Sequence, residues 1–324
     1  MTTITDNAVP VKGRTADEMI AFAVMTGLLV IVPLTGIYPY FVMQALCFAL
    51  FACAFNLLIG YSGLLSFGHA MFLGTAGYVT AHALKVWGVS PEIGIILGVA
   101  ASAALSVITG LIAIRRQGIY FAMITLAMAQ MIYFVFLQAP FTGGEDGLQG
   151  VPRGKLFGLI PLADDRLLYY VVLAVFVAVF LFIIRIVHSP YGQVLKAIRE
   201  NEPRAVSLGY DVDRYKLLAF VLSTGIAGLA GSMKTLVLGF ATLSDAHWSL
   251  SGEVVLMTLL GGMGTFAGPV IGAFTIIGLQ NFLADQVGSW INVIIGVIFV
   301  VCVVAFRRGF VGELLAWQQR RNKG

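Results

Sequence analysis

The chain has 324 residues, of which 59% are hydrophobic and 11% are charged, and its mean hydropathy is +0.93. So few charged residues cannot cover the surface of a water-soluble protein of 324 residues. The composition therefore excludes a soluble protein despite the net charge of +4. Apolar runs of about 20 residues recur, as helices that cross a bilayer require. The period-two alternation of a transmembrane β-barrel is absent. The predicted fold class is an all-α, polytopic membrane protein.

Ten apolar windows are predicted to span the membrane, at about residues 19–36, 40–59, 67–84, 93–114, 118–138, 167–187, 217–238, 249–262, 268–284 and 290–306. The first lacks a small-residue cleavage site and is expected to be a retained span. Residues 1–18 and 307–324 are predicted tails, and residues 19–306 form one transmembrane domain with a polar segment at 188–216. The eighth and ninth windows are short and rich in glycine, so a tilted, re-entrant or broken path is open for either.

The distribution of basic residues predicts the orientation. With a cytoplasmic N-terminus, fifteen of the twenty Lys and Arg residues fall on the inside, as the positive-inside rule expects. Both termini are therefore predicted to be cytoplasmic. Trp87, Trp248 and Trp290 then lie at outer span ends, where indole rings prefer to sit.

Two turns rich in small residues lie on the predicted cytoplasmic side. One follows the second window and contains Gly60, Gly63, Ser66, Gly68 and His69; the other joins the eighth and ninth windows through Gly261, Gly262, Gly264, Gly268 and Gly272. Such glycines indicate either close helix packing or a hinge beside a solute path. The polar residues Asn56, Gln130 and Gln280 either line a wet cavity or form hydrogen bonds across helices. The candidate residues for a path or gate are Asn56, Gly63, Gly68, His69, Glu253, Gly261, Gly262, Gly264 and Gly268.

The loop from Ala139 to Arg166 is predicted to lie outside. It contains Thr142, Gly143, Gly144, Glu145, Asp146 and Gly147 together with prolines. It either contacts something that arrives from outside or is a flexible connector.

The segment from His188 to Lys216 is charged and lies between two apolar windows. Its apolar residues Tyr191, Val194, Leu195 and Ile198 share one helical face, whereas Lys196, Arg199 and Glu200 are expected to point elsewhere. Pro203 suits the first turn of a second helix, and Gly209 can end it in a left-handed conformation. The pattern therefore predicts a helix, a break and a second helix outside the bilayer, which serve as a linker or dock to a partner.

Motifs for catalysis, metal binding and phosphate binding, such as HExxH, GxSxG and GxxxxGK[ST], are absent from the sequence. Cys47, Cys53 and Cys302 lie in apolar runs and are interpreted as packing residues. His69, Lys234 and Glu253 are the few ionisable groups at membrane depth. Lys234 is expected to extend outward or line a path, and Glu253 to cap the eighth span or line a path. So few charges disfavour an ion-coupled carrier, which stays an alternative. The residues alone indicate a membrane protein that is not an enzyme and has no cofactor.

The sequence resembles the permease subunits of branched-chain amino acid ABC importers, of the LivM type. The resemblance covers about residues 40–310, with NLLIGYSGLLSFGHA at 56–70, GIYFAMITLA at 118–127, AIRENE at 197–202 and LGGMGTFAGPVIGA at 260–273. Thr142, Gly143, Gly144 and Gly147 add to it. Arg204 and Ala205 stand where the family often has two alanines, which puts the local helix boundary in doubt.

The resemblance implies a type II ABC importer-like permease in a bacterial inner membrane, without an ATPase site of its own. Its expected partners are a second, LivH-like permease, two ATPase subunits (LivG-like and LivF-like), a periplasmic substrate-binding protein and the lipid bilayer, with no nucleic acid. By the same likeness, the polar segment docks on the ATPase through Ala197, Ile198, Arg199, Glu200, Asn201, Glu202, Ala205 and Gly209. Branched-chain amino acids are the implied solute, and another amino acid, an amide or urea is the alternative.

Overall fold

The computed structural model describes residues 24–34, 38–158 and 160–287, apart from the side chains of 160 and 284–287, and the positions 293, 294, 296, 297, 300, 309 and 310. Residues 24–31 form helix α1, which a 3₁₀ turn at Val32–Leu34 follows. The rest of the first predicted window, most of the tenth window, Cys302, the N-terminal tail and all of the C-terminal tail except Gly309 and Phe310 lie outside the described residues. From Tyr38 onward the described residues form one compact unit.

This unit is helical. Its helices are α2 (Pro39–Ser62), α3 (His69–Lys85), α4 (Pro91–Ala113), α5 (Ile119–Gln138), α6 (Asp165–His188), α7 (Pro190–Glu200), α8 (Glu202–Ser207), α9 (Val212–Leu238), α10 (Trp248–Gly261) and α11 (Gly268–Val287). Four two-residue strands pair as β1 (Leu148–Gln149) with β4 (Phe240–Ala241) and as β2 (Lys155–Leu156) with β3 (Ile160–Pro161), both antiparallel. The all-α prediction is confirmed. Among the described residues, α2, α4, α5, α6 and α9 are long and apolar enough to cross a membrane.

Helices α2 and α9 lie at the centre, where α2 packs against α6, α9 and α11, and α9 also packs against α3 and α4. Glycine allows the close approach: a methyl group at Gly228 of α9 would lie 2.6 Å from Ser102 Cβ of α4. Hydroxyl groups join the same helices, since Ser102 Oγ donates to Thr224 O at 2.9 Å and Thr80 Oγ1 donates to Ser232 Oγ at 2.8 Å. Small residues and interhelical hydrogen bonds are how helices associate inside lipid. Cys47 and Cys53 are buried free thiols, as predicted.

The eighth predicted span is a short helix. Helix α10 has 14 residues, so it extends only about 21 Å, which is less than the ~30 Å hydrocarbon core. A 3₁₀ turn at Leu243–Ala246 precedes it, and Leu243, Asp245 and Ala246 of that turn are buried. The turn packs against α3 and α5, so protein surrounds its irregular backbone. The ninth span is a continuous helix, α11.

The connections gather at two opposite ends of the bundle. We call the end that holds residues 63–68, 189–211 and 262–267 the insert end, and the end that holds residues 86–90, 139–164 and 239–247 the loop end. Contacts within the loop end include Lys85 Nζ, which donates to Gln149 O at 2.7 Å, and the β1–β4 pair. The predicted orientation also places the connections of each end on one side of the membrane.

Candidate functional site

The polar insert forms the predicted helix, break and second helix. Ser189 Oγ accepts a hydrogen bond from Gly192 N at 3.3 Å and caps α7. Asn201 is extended and caps α8, where its side chain accepts from Arg204 N at 3.1 Å. Gly209 has φ of 87°, a left-handed conformation that favours glycine. Local side-chain chemistry therefore sets both helix boundaries of the insert.

The apolar residues of α7 share one face, as predicted, and this face packs against the bundle. Leu195 is fully buried in a cluster with residues from α2, α3, α5 and α9, among them Leu58 and Phe220. Ile198 and Ala205 form a second cluster with Val212. Tyr191 Oη donates to Tyr215 O at 2.9 Å, and burial together with the neighbouring Tyr215 raises the pKa of Tyr191. The insert is thus fixed on the end of the bundle.

Arg199 and Lys196 lie off the apolar face of α7, as predicted, and both contact the end of α2. Arg199 Nη1 donates to Gly60 O, near the C-terminus of α2. Lys196 Nζ lies 5.8 Å from the centre of the Tyr61 ring. A methyl group at Gly63 would lie 3.1 Å from Arg199 Cγ, so the glycine keeps room for this side chain. The charged face of α7 therefore contacts the first glycine-rich turn.

Asn56 joins the same part of α2 to the second glycine-rich turn. Its Nδ2 donates to Thr265 O at 2.9 Å, and its Oδ1 accepts from Gly264 N at 2.9 Å. A methyl group at Gly60 would lie 2.9 Å from Gly264 N, so glycine is needed for this approach. Tyr61 Oη adds a bond to Gly264 O at 3.3 Å. We call these contacts the Asn56 clamp; they make Asn56 a residue that forms hydrogen bonds across helices.

The glycines of the second turn serve packing and backbone geometry. Methyl groups at Gly261 and Gly272 would collide with the carbonyl oxygens of Gly268 and Met257, respectively. Gly262 and Gly264 have φ of 117° and 73°, which favour glycine. Gly268 N donates to Thr265 Oγ1 at 3.1 Å. The turn is therefore tightly built, and the Asn56 clamp holds its middle.

Three further candidates lie in the first turn. Gly63 ends α2 with φ of 75°, and a methyl group at Gly68 would lie 2.6 Å from Thr125 O. His69 is fully buried, and its Nε2 lies 2.9 Å from Ser223 Oγ. Four aromatic rings surround His69: those of Phe51, Phe55, Phe72 and Phe220. His69 thus lies within the packed helices and faces no open surface.

The outward surface of the insert combines polar and apolar residues. Ala197, Glu200, Asn201 and Gly209 are exposed, whereas Ile198 and Ala205 are buried. Glu202 is held by its own chain, because it pairs with Lys216 at 2.7 Å and accepts from Gln117 Nε2 at 2.8 Å. Sequence reasoning missed the apolar residues that share this surface, Val206, Leu208 and Tyr210, which are 57%, 69% and 41% exposed. Their apolar side chains, which lie after α7 in an otherwise polar segment, were the available signal.

Two expectations for charged residues are wrong. Lys234 forms a buried ion pair with Asp245 instead of extending outward. Glu253 is the sixth residue of α10 and does not cap it; His247 caps that helix. The Glu253 carboxylate instead accepts a hydrogen bond from Gln280 Nε2 of α11.

The loop end is an ordered structure. Gly147 lies so close to Ala241 O that a methyl group there would collide with it. Arg153 donates to Asp165 Oδ1 at 2.8 Å, Tyr40 Oη at 2.7 Å and Val237 O at 2.8 Å. Partial burial lowers the pKa of Arg153, but Tyr40 and Asp165 outweigh this and raise it. We call this network the Arg153 clasp; it ties the loop to α2, α6 and α9.

The fold and these contacts define a multi-pass α-helical membrane protein with a polar insert that contacts the end of α2. The Asn56 clamp joins α2 in turn to the second glycine-rich turn. The chain belongs to the family of permease components of branched-chain amino acid transport systems, whose profile matches residues 37–303. The family consists of transport subunits.

The chain is 28% identical over 258 residues to the high-affinity branched-chain amino acid transport system permease protein LivM of Salmonella typhimurium, and the same figures hold for LivM of Escherichia coli. These alignments cover 71% of this chain and 60% of each relative. The ribose import permease protein RbsC of Bacillus subtilis is 25% identical over 278 residues, which are 77% of this chain and 82% of that protein. The search of solved structures found no match.

Proposed function

We propose that this chain is the membrane-spanning permease subunit of an ABC importer that takes up branched-chain amino acids. ATP would be hydrolysed by two LivG-like and LivF-like subunits, with a LivH-like second permease and a periplasmic protein that delivers the solute. Family membership supports the transport role, and the LivM relatives support the solute class. The observation that carries the proposal is the insert, which is fixed to the bundle on one side and exposed on the other.

The exposed side of the insert suits an ATPase groove. Ala197, Glu200 and Gly209 supply a small and polar surface, and Val206 and Leu208 add apolar area without a contact that buries them. Apolar residues exposed among polar ones are typical of protein-binding surfaces. We assign docking to these exposed residues; Ile198, Ala205 and Glu202 would hold the insert in place.

The contacts on the inner side of the insert offer a route for motion. A displacement of α7 would pull Gly60 through Arg199, and α2 would pull the 262–267 turn through the Asn56 clamp. Rigid helices joined by hydrogen bonds transmit small shifts of this kind. Arg199 thus acts as a link inside the chain, and the 262–267 turn is the part of the gate that moves.

The positive-inside rule supports a cytoplasmic position for the insert end and for both termini. The loop end would then face the periplasm of a bacterial inner membrane. Solute would enter between this chain and its permease partner. Among the candidate path residues, Glu253 of α10 accepts a hydrogen bond from Gln280 of α11, whereas His69 is fully buried.

The similarity to a ribose import permease favours a second candidate within the same class, an ABC permease for another small polar solute. The helix bundle and the insert would work in the same way. A separate binding protein that selects the solute would allow related permeases to carry different solutes.

Co-purification tests the proposal. The chain, expressed with its neighbouring subunits, should be recovered with an ATPase, and a substitution at the ATP site should stop L-leucine uptake into proteoliposomes. Replacing residues 197–202 by a Gly/Ser stretch should abolish recovery of the ATPase. Uptake by the isolated chain, driven by a proton or sodium gradient, would instead establish an ion-coupled carrier.

A further inference from the structure

Glu253 is the acidic residue that lies deepest in the apolar helices of the described chain. Glu92, Asp165 and Asp213 all lie in the first turns of their helices. Glu253 is five residues beyond Trp248, the first residue of α10, so it lies about 7 Å along the helix. An ionisable side chain at such depth is costly and usually serves a solute or ion path.

The carboxylate of Glu253 is only partly used by the protein. Gln280 Nε2 donates to its Oε1. Within the described residues, Oε2 has no hydrogen-bond donor, and it is not among the enclosed unpaired polar atoms. Glu253 is partly exposed, and a methyl group at the preceding Gly252 would have nothing within 4 Å. One carboxylate oxygen is therefore free to accept a hydrogen bond from outside the chain.

The nearest basic side chain does not neutralise Glu253. Lys234 is within electrostatic range of it, but its ammonium pairs with Asp245. The Lys234 and Asp245 side chains are 10% and 11% exposed, so their charges cancel in a buried pair. When Glu253 is ionised, the group of Lys234, Asp245 and Glu253 has one net negative charge. A cation from outside the chain would balance it.

We propose that Glu253, supported by Gln280, binds the ammonium group of the solute as it passes this chain. The inference rests on the proposed function, because it assigns a contact on the path of that importer. Gln280 donates through its amide nitrogen, so its amide oxygen is left as a second acceptor for an ammonium. A carboxylate oxygen and an amide oxygen together suit an ammonium group, which donates hydrogen bonds and accepts none. The site selects amino acids over ribose-like neutral solutes.

Uptake of L-leucine by the complete importer in proteoliposomes tests this role. Glu253→Gln keeps the size of the side chain and removes its charge, so we expect uptake to fall about 10- to 100-fold, the effect of losing one hydrogen bond between charged groups. Glu253→Asp should retain more uptake than Glu253→Gln. The matched control is Glu92→Gln, which changes a carboxylate in the first turn of α4 and should leave uptake unchanged. All variants are compared at equal recovery of the complex.

A binding measurement identifies the group that is recognised. We expect 3-methylbutylammonium, which is leucine without its carboxylate, to raise the Tm of the purified complex without the binding protein. The Glu253→Gln complex should show no such rise. 4-Methylpentanoate, which is leucine without its ammonium, should have the same effect on the Tm of both complexes. An equal rise with sodium chloride would assign the site to inorganic cations and overturn the inference.

The outcomes separate the two proposals. Undiminished uptake by Glu253→Gln, beside ATP-dependent uptake by the unaltered importer, would overturn the ammonium site alone. Lack of ATP-dependent uptake by the unaltered importer would overturn the proposed function together with it.

Discussion

The two ends of the bundle differ in the balance of their contacts, although the insert end also holds one ion pair, Lys216 with Glu202. At the insert end, hydrogen bonds from Arg199 and Asn56 reach backbone groups of glycine-rich turns. At the loop end, charged side chains pair with each other, as Arg153 does with Asp165 and Lys234 with Asp245. Contacts between a side chain and a turn can move with that turn, whereas buried charge pairs are costly to separate. We therefore expect changes at the loop end to reduce stability and changes at the insert end to reduce coupling.

The largest effect is expected for Asp245→Ala at the loop end. The substitution leaves Lys234 buried without its partner, which costs about 3–5 kcal/mol. We expect a large loss of folded protein, measured as recovery of monodisperse protein in detergent and as a lower Tm.

The control for this prediction replaces both partners, Lys234→Leu with Asp245→Leu. An apolar pair of similar volume is often neutral, so the double variant should recover much of the stability. Wild-type stability for Asp245→Ala alone would show that the ion pair does not stabilise the loop end.

The next effect concerns Arg199→Ala at the insert end. Loss of its bond to Gly60 O should lower uptake per ATP hydrolysed by about tenfold, the effect of a hydrogen bond from a charged donor. Recovery of the ATPase with the complex should not change, because Arg199 binds its own chain. The matched control is Arg204→Ala, which removes an exposed arginine of α8. Loss of the ATPase from the Arg199→Ala complex would instead assign Arg199 to docking.

A smaller effect is expected for Arg153→Ala, which removes the centre of the Arg153 clasp. Tyr40 and Asp165 keep their mutual hydrogen bond of 2.9 Å, so we expect a loss of about 1–3 kcal/mol. Chemical unfolding in detergent should show the loss, and the ratio of uptake to ATP hydrolysis should stay unchanged. A changed ratio would mean that the loop end also takes part in coupling.

The smallest effect is expected for Tyr191→Phe, which removes the bond to Tyr215 O and keeps the stacked rings. One neutral hydrogen bond contributes about 0.5–1.5 kcal/mol. Stability should fall slightly, and coupling should not change. Loss of ATPase recovery in this variant would show that α7 needs the Tyr191 hydrogen bond, in addition to its apolar contacts, to keep its position on the bundle.

The sequence predicted the features that depend on neighbouring residues. Pro203 and Gly209 marked the second helix of the insert, and the periodic residues Leu195 and Ile198 marked the buried face of α7. Asn56 was recognised as either a cavity residue or a hydrogen-bonding residue, and the structure decides between them. The resemblance added the family, which the family profile confirms.

The features that the sequence could not predict join residues far apart in the chain. Arg199 and Gly60 are 139 positions apart, and no local pattern links a guanidinium to one particular carbonyl group. Lys234 and Asp245 are separated by the end of α9 and a 3₁₀ turn, so a lysine near a helix end gave no sign of a buried partner. Helical periodicity placed Arg199 off the apolar face of α7, but α2 ends beside that other face.

The central claim is that the insert and the 262–267 turn move as one body. Spin labels at Gln193 of α7 and at Met263, both exposed, would report their separation in the assembled importer after replacement of the native cysteines. Between the nucleotide-free and the ATP-trapped states we expect this distance to stay constant within about 2 Å, the scale of a small helix shift. A change of about 5 Å or more, equal to a full helical turn, would contradict the link through Arg199 and Asn56.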